Sequence, residues 1–292
     1  MLSPGFLTTV QDLGRFGYAH LGVSASGAAD CLALRAGNLL VGNAENAPAL
    51  EMTLAGGTFE FSADAVVALT GSDFGADVPM WRPVAVASGG AVRCGASRSG
   101  ARCYLCVRGG LDVPLMLGSA STHLVTGMGG FQGRALRKGD EIAIGRAEIR
   151  RPRAATAPPL PAGDTRVLRV TPGPQAGSFG DEFYQTEYEV SEESNRMGLR
   201  LRGPALAAHG GHMITEGVTL GAVQVPPGGE PIILFVEHQT TGGYPKIANV
   251  VSADFRRVGQ LRPRDRVRFQ AVSLDEATAL LREQEEWLYG LV

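Results

Sequence analysis

Apolar and polar positions change places over short runs along most of the chain: Thr58–Phe61, Val66–Leu69, Cys103–Val107, Glu141–Ile144, Val167–Val170, Ile232–Val236 and Arg266–Phe269. Most are β-branched or alternating and are bounded by Gly, Pro, Asp or Ser, the pattern of half-buried antiparallel strands. Helical signals are few. Cys31–Val41 carries leucines at 32, 34, 39 and 40 behind a candidate N-cap, Asp30, and stops at Gly42. Ser273-Leu-Asp-Glu276 spells a capping box, in which a hydroxyl and a carboxylate satisfy free amides reciprocally, and predicts a helix to about Leu288.

Residues 151–163 hold four prolines and no apolar period, so they read as an extended connection between two compact units, 1–150 and 164–292. A weak internal echo supports two similar halves. Leu136–Ile144 parallels Leu261–Phe269, each a turn ending in Asp that launches an alternating strand; Leu54–Phe59 pairs more loosely with Leu201–Leu206. The chain has 292 residues, room for two domains, and its 40 glycines and 17 prolines favour a turn-rich β protein over a helix bundle.

Twenty-seven basic residues against 29 acidic ones leave a net charge of −2, which argues against a phosphate-tracking surface and hence against a nucleic-acid partner. The first residues lack a secretory pattern and no run approaches about 20 apolar residues, so a soluble, cytoplasmic protein without a membrane partner is expected. Four cysteines in so long a chain do not resemble a disulfide framework.

Only two of the basic residues are lysines, Lys138 and Lys246, and neither follows a glycine, so no Walker-type phosphate loop is present. Neither sits between methionines as a biotinylated lysine does, so no biotin is expected to be attached covalently to this chain. Gly-x-Ser-x-Gly and His-Glu-x-x-His are absent. Cys103-x-x-Cys106 has the spacing of half a zinc site, but in a strand the two thiols point to opposite faces, so buried structural cysteines are the better reading. His209-Gly-Gly-His212 lacks a third ligand nearby and reads as a solvated pair; no metal site is expected. The loop Thr126–Gly133 reads as a tight β-connection, with a ligand-wrapping loop as the alternative.

Three segments concentrate chemistry. Thr8–His20 gathers Gln11, Asp12, Arg15 and His20 around two glycines, suiting either a binding loop or a hydrogen-bonded turn. Ser194–Gly198 offers an amide, Asn195, and a fork-shaped cation, Arg196, which suits a bound carboxylate or phosphate, or else a capped turn with a surface ion pair. Gln239–Lys246 follows the apolar run Ile232–Val236, so Gln239, Thr240, Thr241, Tyr244 and Lys246 emerge at a strand end, where a rigid scaffold aims them. This last segment is the strongest site candidate on chemistry alone.

Seven motifs, taken in order, resemble the allophanate hydrolase subunit 2 family: Thr9–Tyr18, Gly22–Asp30 (which contains Ser26), Leu40–Asn43, Arg108–Gly110, Gly118–Thr122, Ser194–Leu201 and Gln239–Pro245. That family includes the C subunit of the ATP-dependent 5-oxoprolinase, the KipA antagonist of a kinase inhibitor, and half of the urea carboxylase carboxyltransferase domain. The resemblance implies a mainly β chain of two cyclophilin-like β-barrel domains with a few short helices. It implies a subunit 1 partner (the B-type chain of 5-oxoprolinase, or KipI-like), a third chain of the A type, and ATP with Mg at the level of the complex. The implied substrate is a small amide, 5-oxoproline, opened to glutamate. In that chemistry phosphorylation of the amide oxygen supplies a leaving group, so cations and oxyanion donors are needed. By residue type, Arg196, Arg15 and Lys246 suit the first task and Asn195, Gln239, Thr240 and Thr241 the second. Gln11, Asp12, Arg15, His20, Ser26, Tyr244 and Lys246 are assigned to substrate binding, and the chain alone is expected to be inactive. A biotin-dependent carboxyltransferase component acting on urea or a similar nitrogen nucleophile is the alternative, and a non-enzymatic KipA-like regulator a third.

Overall fold

The computed structural model describes residues 1–146, 166–208 and 213–291. The chain divides into two compact units, Met1–Arg15 with Ser26–Leu160 and Glu285–Val292, and Phe16–Ala25 with Pro161–Gln284. The division thus differs from a single cut between 150 and 164, because a ten-residue segment near the start and the chain's end belong to the other unit. The connection at 151–163 and the pair His209 and His212 lie outside the described residues.

The first unit contains β1 (Leu7–Gln11), α1 (Cys31–Leu40), β2 (Ala49–Thr53), β3 (Thr58–Glu60), β4 (Ala65–Gly71), β5 (Pro83–Val86), β6 (Ala91–Arg93), β7 (Arg102–Val107), β8 (Leu111–Asp112) and β9 (Ala143–Ile144). Five strands form one antiparallel sheet in the order β1-β2-β7-β4-β5, while β3 with β6 and β8 with β9 make small ribbons. Strand β7 is buried at every position because the sheet is covered on both faces. Its residues Cys103, Leu105 and Val107 pack with Val10, Met52, Val67 and Leu69 on one side. Tyr104 and Cys106 pack with Leu32, Leu34 and Leu40 of α1 on the other.

Helix α1 starts where Asp30 accepts a hydrogen bond from the Ala33 amide at 3.0 Å, as its cap spelling predicts. It lies close to the sheet: a Cβ on Gly37 would fall 2.6 Å from Cys106 Sγ and 2.7 Å from Thr70 Oγ1. Gly37→Ala is therefore expected to destabilise the protein by about 1–2 kcal/mol in urea unfolding. Overpacking of about 1–3 kcal/mol outweighs the helix propensity gain of at most about 1 kcal/mol.

The second unit contains β10 (Val167–Pro172), α2 (Glu182–Gln185), β11 (Tyr188–Val190), β12 (Gly198–Arg202), β13 (Glu216–Gly217), β14 (Ala222–Gln224), β15 (Ile232–Leu234), β16 (Thr241–Gly242), β17 (Lys246–Val250), α3 (Phe255–Gln260), β18 (Arg266–Ala271) and the start of α4 (Leu274–Tyr289). Seven strands close a barrel in the order β10-β17-β14-β15-β12-β11-β18, sealed by parallel pairing of β18 with β10. Alternation sorts its residues: Val267 and Phe269 point in while Arg266 and Arg268 point out, and Phe183 stacks on Phe269 at 4.3 Å. The protein is mainly β; among the described residues the closed barrel is in this unit, and the five-stranded sheet of the first unit is open.

The capping box forms as spelled, with the Ser273 amide donating to Glu276 Oε2 at 2.7 Å and the Glu276 amide to Ser273 Oγ at 3.2 Å. At the other end of α4, Leu288 and Leu291 enter the α1 core, which explains why Glu285–Val292 belongs to the first unit. Arg35 grips Glu285 bidentately at 2.6 and 2.7 Å. Those hydrogen bonds hold the Glu285 carboxyl below its usual pKa. A carboxyl depressed by folding stabilises fully above its unfolded pKa, about 4.3, and that contribution is lost as pH falls through the folded value. Glu285→Gln is therefore expected to lower stability by roughly 1 kcal/mol at pH 7, after allowance for solvent screening. The difference from wild type should shrink as pH falls below about 4.3 and through the depressed folded value, as a series of thermal melts across acid pH would read.

The internal echo is real at its turns. Asp140 Oδ2 accepts from the Arg137 amide at 2.7 Å, and Asp265 Oδ2 from the Arg262 amide at 2.8 Å. The strands that follow differ: β9 has two residues and β18 six. The looser echo has no common backbone, since Leu54 has a φ of 60° beyond β2 whereas Leu201 lies inside β12. No helix among the described residues is long and apolar enough to cross a membrane.

Candidate functional site

In the first unit, Gln11, Asp12, Arg15 and Ser26 come together against the segment Ser119–Thr122. The buried Asp12 carboxylate accepts from Ser119 Oγ at 2.6 Å, the Ala120 amide at 2.7 Å, the Gly14 amide at 2.8 Å, and Ser121 Oγ. Gln11 Nε2 donates to Thr9 Oγ1 and to the Thr122 carbonyl, each at 3.1 Å, and Ser26 Oγ donates to the same carbonyl at 3.1 Å. Arg15, 2% exposed, donates to the Ser121 carbonyl. The hydroxyl- and carboxylate-rich segment is thus a hydrogen-bonded clamp between the end of β1 and a distant loop. The glycine loop Thr126–Gly133 packs on that clamp: a Cβ at Gly130 would collide with Thr122 Oγ1, and one at Gly133 with the Gly127 carbonyl. Its main chain faces its own protein, as a tight connection does. Gln132 adopts a φ of 57° there.

The thiols are structural. Cys103 and Cys106 sit in cores on opposite faces of β7, and burial pushes both pKa values well above the ordinary thiol range. Burial also raises Cys94 to about 12 and Cys31 to about 11, so none of them is a thiolate at neutral pH. Among the described residues no group of three or more His, Cys, Asp or Glu side chains is arranged to hold a metal.

In the second unit, Asn195 is exposed and its Oδ1 caps a turn by accepting from the Met197 amide at 2.8 Å. Arg196 is buried rather than on the surface, and its Nε donates to Glu237 at 2.5 Å. The Glu237 amide returns a hydrogen bond to the Arg196 carbonyl at 2.8 Å. This pair ties the turn before β12 to the segment that leads from β15 toward Gln239. Next along that segment, His238 Nδ1 lies 2.6 Å from the Gln239 carbonyl, and burial lowers its pKa.

Gln239, Tyr244 and Lys246 converge at one end of the barrel, together with three residues that sequence reasoning missed: Gln175, Glu216 and Gln224. A β-bulge shifts the β14–β17 register so that Gln224 faces Lys246, and both are buried. Gln239 Nε2 donates to Gln224 Oε1 at 3.2 Å, and Gln224 Nε2 to the Tyr244 carbonyl at 3.5 Å. Gln175 Oε1 accepts from the Lys246 amide at 3.0 Å while its Nε2 donates to Glu216 at 3.2 Å, and Glu216 also receives the Lys246 ammonium. Hydrogen bonds from Lys246 hold the Glu216 carboxyl below its usual pKa. Thr241 is exposed on β16 opposite Gly217, and the Thr240 carbonyl accepts from Val218 at 3.1 Å, so both contribute main chain to the covering ribbon β13–β16. His20 is exposed on a short 3-10 turn, Ala19–Leu21. Three carboxamides and one ammonium at a barrel end can pair with amide and carboxylate groups of a small molecule.

A mainly β chain with these motifs has a known counterpart. Residues 21–271 match the family model described as carboxyltransferase domain, subdomains A and B, and the chain belongs to that family. Two relatives match along nearly their whole lengths. One is the C subunit of 5-oxoprolinase from Haemophilus influenzae, 41% identical over 96% of this chain and 93% of its own. The other is the C subunit of 5-oxoprolinase from Escherichia coli, 39% identical over 100% of this chain and 96% of its own. The crystal structure of the K. lactis urea amidolyase is similar with a TM-score of 0.91 and 32% identity, over 98% of this chain and 19% of that one.

Proposed function

We propose that the chain is the C-type subunit of an ATP-dependent 5-oxoprolinase, which opens the lactam of 5-oxoproline to glutamate together with a B-type and an A-type partner chain in the cytoplasm. The observation that carries this reading is the match to two proteins named as the C subunit of 5-oxoprolinase, which covers 96% and 100% of this chain and 93% and 96% of theirs. The amides of Gln175, Gln224 and Gln239 suit it, since a lactam presents one N–H and one C=O to be recognised.

Two of the cations that residue type assigned to the phosphoryl group already have partners inside the protein. Arg15 is buried against the Ser121 carbonyl and Arg196 against Glu237, so each of these two is held within its own unit. Nucleotide binding is accordingly assigned to a partner. The polypeptide mixed with the products of its neighbouring genes, ATP and 5-oxoproline is expected to release ADP and glutamate in step, and the chain alone neither. Absence of glutamate from the complete mixture would refute the proposal. A carboxyltransferase reading is favoured by the family description and the urea amidolyase likeness; it requires turnover that depends on bicarbonate and a biotinylated partner.

A further inference from the structure

Lys246 is one of two lysines in the chain, and its side chain is only 6% exposed. An ammonium carries three N–H donors and is strongly hydrated in water, so burial is costly unless acceptors replace the lost water. Among the described residues its one hydrogen-bond partner is Glu216 Oε1. That carboxylate is 42% exposed and stands on β13, a two-residue strand that among the described residues pairs only with β16. The buried cation thus has a counter-ion that is nearly half in solvent and stands on a two-stranded ribbon.

The surroundings define what an anion at this ammonium would carry. Gln175 bridges Glu216 and the Lys246 main chain, and Gln224 and Gln239 form an amide pair beside Gly242. A Cβ at residue 242 would fall 2.9 Å from Gln224 Nε2 and 3.3 Å from Gln239 Nε2, so glycine lets the ribbon pack against the two amides. One cation flanked by carboxamides matches a small molecule with a carboxylate next to an amide group.

We propose that Lys246 anchors the carboxylate of such a ligand and that Glu216 holds the same place until the ligand enters, then leaves it. This rests on the 5-oxoprolinase reading for the ligand's identity, but the anchor itself is a property of the barrel end. Glu216 then acts as a built-in competitor: the ligand's apparent affinity is reduced by the fraction of molecules in which the ion pair is closed. Removing the competing charge raises affinity for anionic ligands and leaves neutral ones unaffected.

The test is calorimetric titration of the full chain with 5-oxoproline and with 2-pyrrolidinone, the same lactam without the carboxylate. Wild type is expected to bind 5-oxoproline more tightly than 2-pyrrolidinone. Glu216→Gln is expected to tighten 5-oxoproline about fivefold to tenfold without changing 2-pyrrolidinone. Lys246→Met, checked for folding by its melting curve, is expected to bind the two lactams equally. Unchanged or weaker 5-oxoproline binding in Glu216→Gln would overturn the proposal, as would retained preference for the anion in folded Lys246→Met, or binding of neither ligand to wild type and Glu216→Gln. Anion binding that follows the expected pattern while the complete complex makes no glutamate refutes the functional reading and leaves the anchor standing. Turnover by the complex with Glu216→Gln and Lys246→Met both neutral does the reverse.

Discussion

In the assembled complex, Lys246→Met is expected to raise KM for 5-oxoproline by about 100-fold while kcat falls far less. A buried charge that loses its partner group costs about 2–5 kcal/mol, and about 2.8 kcal/mol corresponds to a factor of 100. An anchor remote from the scissile bond holds ground state and transition state alike, so its loss appears in KM. Steady-state kinetics at saturating ATP makes the measurement. An equal loss in kcat with KM unchanged would instead put the ammonium at the reacting carbonyl.

The second large effect is on stability. Asp12→Ala is expected to destabilise the first unit by about 3–5 kcal/mol, because removing the buried carboxylate strands donors that were satisfied by it. Two are main-chain amides, Gly14 and Ala120, which have no freedom to turn elsewhere, and two are the hydroxyls of Ser119 and Ser121. Asp12→Asn keeps one oxygen acceptor and is expected to lose roughly half as much. The readout is the urea midpoint at constant m-value. Full stability in Asp12→Ala would show that the clamp is dispensable and that the carboxylate serves another purpose.

Local features were legible in the sequence, and long-range ones were not. The Asp30 cap, the Ser273–Glu276 capping box and the two faces of β7 follow from periodicity and side-chain chemistry within a few residues. The role of Asp12 depends on serines more than a hundred residues away, which no local pattern announces. Asp12 therefore reads as a binding group until its partners are known. Gln224 was hidden for another reason: a lone amide in an apolar strand looks like an outward-facing residue, and only the bulge turns it toward Lys246. Arg196 was legible as a cation but not as a buried one, since Glu237 sits 41 positions further along. Gln239 and Lys246 were singled out because their segment follows an apolar strand; their hydrogen bonds to Gln224 and Glu216 were not legible.

The central claim is that the amide-lined barrel end receives the lactam. The most direct measurement is a nuclear magnetic resonance titration of the isotope-labelled chain with 5-oxoproline, following the side-chain NH2 signals of Gln175, Gln224 and Gln239, each assigned by its Gln→Glu variant. The expected result is saturable shifts of those three signals with a common dissociation constant, while Gln11 stays still. Shifts confined to Gln11 and its neighbours, with the three barrel-end amides unmoved, would contradict it.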